Sequence, residues 1–339
     1  MTTTVEDVGT AASILQLGNR FCHAKALLTA VRLDLFTVLD EGPATPGELR
    51  DRLGLHGRGL ADFLALLAAL GLLRRDADGR YRNADGADRH LVSGRPGAVG
   101  GFLRGADINL YPVYGELAQA LRTGRPQGRV DYTGMLDDPV ATGQFVRMMD
   151  GLTQGLGAPL TAALEGVEYH SVLDVGGCRG HLLGQLLAAR PDVRGHVFDL
   201  PQLEPFFHEY QAELGRTGQA VFHPGDFFQD PLPAADVLVL GHILHDWDPE
   251  QRQELLDKAF EAVNPGGALL VYDRMLGELA DDTENLAASL HMLLVTDGGA
   301  EYTVAELRAQ AAAAGFGAVT HRRLADYDTL VVCRKELRG

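Results

Sequence analysis

The chain has little with which to bind a polyanion, cross a membrane or build a disulfide framework. Its 30 lysines and arginines face 46 aspartates and glutamates, a formal net charge of -16, which repels phosphate backbones and anionic lipid. No basic stripe interrupts that balance, so neither nucleic acid nor a membrane surface is an expected partner. Nowhere does an apolar run approach the roughly 20 residues of a membrane helix. The opening MTTTVEDVGTAASILQLGNR lacks a basic start followed by an apolar stretch, and no signal peptide is expected. Only three cysteines occur, Cys22, Cys178 and Cys333, far apart; they exclude a disulfide framework and suit a reducing, cytoplasmic setting. What remains is a globular balance, 46% hydrophobic and 22% charged over 339 residues, enough for one large domain or two.

Two textures divide the chain. From about residue 10 to 165 apolar residues recur at three- and four-residue spacing, as in AKALLTAVRLDLFTVL and LADFLALLAALGLL, which predicts helices. Thr45-Pro46 with Glu48 three residues after the threonine forms a capping box with proline at the first helical position. A hairpin signal follows at Asp78-Gly79, giving a winged-helix outline, for which the acidic balance favours dimerisation or a substrate lid over DNA binding. After 165 the runs SVLDVGG, GHVFDL, AVFHPGDFF, ADVLVLGHIL, GALLVYDRM and DTLVVCR alternate with helical segments. That alternation predicts an α/β, Rossmann-like doubly wound sheet. The expected domains are 1–165, mainly helical, and 166–339, ligand-binding.

The first of these strands runs into LDVGGCRGHLL. Glycines at 176, 177 and 180 allow a tight turn and close approach of a ligand to the backbone, and Asp199, nineteen residues after Gly180, ends the next strand where a carboxylate can accept from ribose hydroxyls. A nucleotide-like ligand follows. The turn does not spell the dinucleotide fingerprint G-x-G-x-x-G, and Asp174 before the glycines would repel a pyrophosphate while favouring a cationic or zwitterionic group.

The strings LDVGGCRGHL, FDLP, GDFF, LHDWDPE and GGAEYT, in this order along nearly the whole chain, resemble the motifs of class I S-adenosylmethionine-dependent methyltransferases. More narrowly they are similar to the small-molecule O-methyltransferases of plant phenylpropanoid and bacterial natural-product pathways. The resemblance implies S-adenosylmethionine as cofactor, a winged-helix dimerisation domain and a homodimer. It implies that Asp174, Gly176 and Gly180 line the cofactor pocket, that Asp199 holds the ribose and that Asp226 and Phe227 bracket the adenine. Cys178-Arg179 departs from the family pattern of glycine then threonine or serine; Arg179 is expected to point away and Cys178 to pack as a small hydrophobe.

Residues 241 to 250, GHILHDWDPE, hold two histidines three apart. By the resemblance His245 is the general base for a phenol, oriented by Asp273 and Glu301; a histidine suits a phenol of pKa near ~10. His242 is read as a bystander, and Asp248 as the N-cap of the following helix. The resemblance also sets His291, Met292 and Thr296 against substrate, together with the helix bearing Phe145 and Met149. His291 leaves two chemistries open. It can hydrogen-bond a substrate oxygen, or join His245 and Asp246 around a divalent metal or iron, which would stabilise the enolate of a 2-oxo acid for C-methylation. O-methylation of a small bacterial secondary metabolite is the leading expectation, metal-assisted C-methylation its rival, and a non-catalytic winged-helix regulator that binds a small ligand the alternative outside enzymes.

Overall fold

The computed structural model describes residues 9–95, 97–128, 136–215, 218–277, 282–325 and 327–337. The chain forms two compact units, Met1–Ile108 and Asn109–Gly339.

In the first unit a long helix, Ala11–Arg32, precedes the helices Leu35–Asp40, Pro46–Leu53 and Leu60–Ala69, then strands β1 (Leu73–Arg75) and β2 (Tyr81–Asn83) and the helix Asp85–Leu91. The strands pair antiparallel around the expected turn. The Thr45 capping box forms as read, its Oγ1 accepting from the Glu48 N–H and the Glu48 carboxylate accepting from the Thr45 N–H. Leu35, Phe36, Leu49, Leu64 and Leu67 close a core of their own. Outside it, Ile14, Leu15, Leu17 and Phe21 remain exposed along the first helix, an apolar stripe that this unit leaves uncovered.

The second unit is built on a seven-stranded sheet. Strands β3 (Ser171–Val175), β4 (Arg194–Asp199), β5 (Ala220–Pro224), β6 (Ala235–Gly241), β7 (Val263–Asp273), β8 (Val319–Leu324) and β9 (Asp328–Arg334) are ordered β5-β4-β3-β6-β7-β9-β8. The first five are mutually parallel; β9 runs antiparallel to both β7 and β8. Alternation along the strands feeds two cores: Val172, Val237, Val239 and Leu270 on one face, Leu173, Leu238, Leu240 and Val271 on the other. Helices His181–Ala189 and Glu204–Glu213 cover the first face, Pro249–Ala262 and Val304–Ala314 the second. Because β3 leads outward to β4 and β6 leads the other way to β7, the carboxyl ends of β3 and β6 form the switch point where such sheets bind ligands.

Two readings of the sequence differ from this picture. The change of texture near 165 marks the approach to β3, whereas the compact units divide at 108/109; the helices Pro139–Thr153 and Gly157–Ala163 pack into the core of the sheet unit. Strand β8 gave no sequence signal because it is an edge strand whose middle residues, Thr320 to Arg323, are exposed and polar.

Leu238 sits at 0% exposure in the middle of β6. Leu238→Ala is expected to destabilise the sheet unit by about 2–5 kcal/mol, seen as a lower urea midpoint with an unchanged slope.

Candidate active site

A cavity of about 550 Å³ opens at the switch point, walled by residues from the carboxyl ends of five strands. Asp174, Gly176 and Gly177 come from β3, Asp199 from β4, Gly225 to Phe228 from the turn after β5, Gly241 to Ile243 from β6, and Tyr272 from β7. Phe145, Met149 and Asp150, on the helix Pro139–Thr153, form the opposite wall. Gly176 turns the chain at φ 71°, and a Cβ there would collide with Ile243. Gly180 has φ 79° as N-cap of the helix His181–Ala189, and its missing side chain leaves room for Phe207, 3.2 Å from an ideal Cβ. Gly180 therefore serves the packing of that helix and does not line the cavity.

The cavity is acidic and short of internal partners. Asp199 Oδ2 accepts from the Cys178 N–H at 2.7 Å and Oδ1 from the Leu200 N–H at 2.7 Å. Asp174 Oδ2 is buried with no hydrogen bond, and so is Trp247 Nε1. Burial pushes the Asp199 carboxyl up to about 6; burial, with Asp199 beside it, pushes Asp174 up to about 7. Arg179 does not relieve them. It turns away, donating from Nε to Asp150 at 3.1 Å and lying over the Tyr210 ring at 4.4 Å. Burial and the neighbouring Asp199 and Asp150 push the Cys178 thiol well up, which leaves it a packed, inert thiol. Phe227 packs edge-on to Phe228 and Trp247, and Trp247 also lines the cavity. Asp226 Oδ1 accepts from the Phe228 N–H at 2.8 Å, fixing the turn.

Behind the wall made by His242 and Asp246 lies the histidine cluster. His245 Nδ1 is 2.7 Å from Glu301 Oε1 and 3.7 Å from Asp273 Oδ1, and its Nε2 is 3.7 Å from Asp246 Oδ1. Glu301 is thus a hydrogen-bond partner and Asp273 a longer-range one, whose Oδ2 accepts from the Tyr302 hydroxyl. Burial alone would lower the His245 pKa; Asp273, Glu301 and Asp246 together outweigh it and raise it to about 10. His242, expected to stand aside, is built into the same cluster, with Nε2 3.4 Å from Asp328 Oδ2 and Nδ1 3.9 Å from Asp273 Oδ1. Nothing in the sequence tied Asp328 or Tyr302 to the site.

The remaining expected residues lie elsewhere. His291, on the helix Thr283–Val295, faces Tyr114 with ring centroids 6.3 Å apart. Burial, then His245 and Arg274, lower its pKa to about 4, so it is a neutral imidazole. Met292 is buried with Ala120, Leu294 and Val295. Thr296 caps its helix, its Oγ1 donating to the Met292 carbonyl and accepting from the Gly299 N–H. None of His291, Met292 and Thr296 lines the cavity, and His245 is reached only behind His242 and Asp246, which do. The metal trio His245, Asp246 and His291 does not converge. Among the described residues the one group with mutually close ligand atoms is His242, His245 and Asp273, and there His245 Nδ1 is already committed to Glu301. The donors expected for the enolate-stabilising metal therefore do not come together.

The sequence of this chain matches the model of the O-methyltransferase domain over residues 114–317 and that of the O-methyltransferase dimerisation domain over 15–93. It is 46% identical to the tetracenomycin polyketide synthesis 8-O-methyl transferase of Streptomyces glaucescens, over 95% of this chain and 96% of that one. The chain belongs to the O-methyltransferase family. An N,N-dimethyltransferase of Streptomyces rimosus is 38% identical over 93% of each chain. Human N-acetylserotonin methyltransferase in complex with S-adenosylmethionine superposes with a TM-score of 0.89 at 25% identity, over 99% of this chain and 100% of that one. This O-methyltransferase is therefore an S-adenosylmethionine-dependent enzyme of the kind that serves bacterial secondary metabolism. Among its described residues no helix is long and apolar enough to cross a membrane.

A cationic cofactor binds best when Asp174 and Asp199 are ionised. In the free protein these carboxyls titrate at about 7 and about 6, so below those values binding must expel protons. S-adenosylmethionine affinity is expected to be full above pH 7 and to fall as pH drops through 7 and then 6. Calorimetric titration at pH 5.5, 6.5 and 7.5 measures it, and an affinity independent of pH contradicts the assignment.

Proposed function

We propose that this O-methyltransferase methylates a phenolic hydroxyl of an aromatic polyketide-like acceptor, with His245 as general base. The observation that carries the reading is the Glu301–His245 contact of 2.7 Å. It commits Nδ1–H to the carboxylate, so Nε2 is the nitrogen that takes up a proton once the ring is neutral, a form that grows as pH rises toward about 10. The enzyme's tetracenomycin-pathway relative supports the aromatic acceptor.

S-adenosylmethionine, when bound, supplies a methyl group activated on a sulfonium. The residues that would hold it are Asp174, Asp199, Asp226 and Phe227, with the bare backbone at Gly176 giving close approach; their fit rests on an acidic cavity with an unpartnered Asp174 oxygen. His245 takes the phenolic proton at Nε2. Raised to about 10, it is level with a phenol near ~10, so the transfer is close to thermoneutral. Glu301 and Asp273 stabilise the imidazolium that results. His291, neutral in its buried setting, offers one donor and one acceptor to a second oxygen of the acceptor. Phe145 and Met149 supply apolar wall. The helical unit, residues 15–93 in the dimerisation match, pairs two copies through the stripe of Ile14, Leu15, Leu17 and Phe21.

A panel of polycyclic phenols bearing neighbouring carbonyl groups, assayed with methyl-labelled cofactor, tests the acceptor class; 2-oxo acids serve as the contrasting set, and labelling of those alone rejects the reading. On any acceptor found, His245→Ala is expected to lower kcat at least ~100-fold, as loss of a general base does. In the wild type kcat/KM rises about tenfold per pH unit below the His245 pKa. Glu301→Gln removes a carboxylate that raises this pKa, so the rising limb shifts to lower pH; a limb that stays in place or moves up speaks against the pairing. Separately, Leu15→Asp with Phe21→Asp is expected to convert the dimer to a monomer in sedimentation experiments.

A further inference from the structure

Beyond the His245, Asp273 and Glu301 machinery, we infer that His242 and Asp328 form a second pair that positions Asp273 and keeps it compensated when His245 is neutral. The inference rests on the reading of His245 as base and deepens it.

Asp273 is 0% exposed. Its Oδ2 is engaged by the Tyr302 hydroxyl, while Oδ1 is buried without any hydrogen bond. An isolated buried carboxylate costs several kcal/mol unless a counter-charge lies close. Two groups flank Oδ1: His245 Nδ1 at 3.7 Å and His242 Nδ1 at 3.9 Å. His245 must be neutral whenever it acts as a base, and at that moment it offers Asp273 no counter-charge. The His242 ring does not take part in that transfer: its other nitrogen faces Asp328 Oδ2 at 3.4 Å, so the ring lies between the two carboxylates. Asp328 is itself only 8% exposed, with Oδ1 unpartnered, and His242 is the first of the groups that compensate it, ahead of Arg274 and His245.

The backbone argues in the same direction. His242 adopts φ 53°, a conformation that strains a non-glycine residue. Two contacts hold it there: its N–H donates to the Tyr272 carbonyl at 2.9 Å, and its ring meets Tyr272 edge-on with centroids 5.2 Å apart. The strained turn aims the imidazole inward at Asp273 and Asp328, beside the His245 ring at 5.5 Å. The charged and titratable groups around His242 are Asp273 and Tyr272 on β7, Asp328 on β9, and His245 on its own turn. Asp246 and Glu301 act on His245.

The test uses His242→Asn, because asparagine tolerates this backbone conformation and so removes the ring with little change to the turn. With an acceptor from the phenol panel, kcat is expected to fall about tenfold to a hundredfold. Asp328→Asn should give a similar fall, and the double variant should be no slower than the slower single one, since both act through Asp273. An acceptor carrying an electron-withdrawing group, already ionised at the assay pH, should recover most of the lost rate, which a merely structural role would not allow. A His242→Asn kcat within twofold of wild type overturns the inference, as does multiplication of the two losses or an equal loss on the pre-ionised acceptor. His242→Gly serves in place of the asparagine variant if that protein does not fold. His245→Ala, run alongside, separates the two failures. If it too keeps its rate the base reading falls, whereas a dead His245→Ala beside a fully active His242→Asn removes only the role of His242.

Discussion

The contact between His245 Nδ1 and Glu301, 56 residues apart in the chain, decides what the rest of the site can be. It ties Nδ1 to a carboxylate and leaves Nε2 for the proposed proton transfer, and it commits the protein to burying negative charge. Glu301 and Asp273 are 5% and 0% exposed, and Asp246 and Asp328 stand close to the same two imidazoles. Even with both rings protonated and Arg274 acting on Asp328, four carboxylates outnumber three cations. On the other side of the His242–Asp246 wall Asp174 and Asp199 repeat the pattern, raised in pKa by burial. Arg179, on the cofactor turn, is spent on Asp150. A site so arranged favours a cation, and the proposed methyl transfer from a sulfonium to a phenol would conserve one: the positive charge lost at sulfur would be matched by the proton passed to His245. Substrates and products therefore leave the electrostatic balance of the pocket nearly unchanged, which is a condition for a low barrier in a low-dielectric environment.

How much of this was legible in the sequence depends on how far apart the parts lie. Asp174, Gly176, Gly180 and Asp199 fall within one βαβ unit, whose strand–turn–helix geometry is set locally, so spacing alone implied a nucleotide-like ligand there. Asp248 as an N-cap and the Thr45 capping box were equally local, and both formed. Asp273 and Glu301 could be tied to His245 only through family resemblance, because only the completed sheet brings the end of β7 and the loop before the helix Val304–Ala314 to the end of β6. His242 was read as a bystander for the same reason: its partner Asp328 opens β9, and the antiparallel pairing of β7 with β9 that sets Asp273 opposite Thr329 has no local signature. Met292 and Thr296 were drawn toward substrate by analogy. The chain instead uses one to fill a small core and the other to end a helix.

Two non-glycine residues of the cavity wall, Cys178 and His242, hold positive φ, at 52° and 53°. They sit at the carboxyl ends of β3 and β6, one on each side of the switch point, where the two halves of the sheet splay apart. In each case the unfavourable turn is held by a buried polar contact: the Cys178 N–H donates to Asp199, and the His242 N–H donates to the Tyr272 carbonyl. The Asp199 contact explains why the departure from glycine at 178 is tolerated. It aims a backbone donor at the carboxylate expected to hold the ribose, and the Cys178 side chain fills a buried space of modest size. The departure at 179 follows from a different need. A small threonine or serine there could not reach the helix Pro139–Thr153, whereas the arginine ties that helix, through Asp150, to the cofactor turn. The pairing fixes one wall of the cavity, with Phe145 and Met149, against the loop that the glycines shape, so a change that looked like a hazard for a cationic ligand becomes a support for the pocket that receives it.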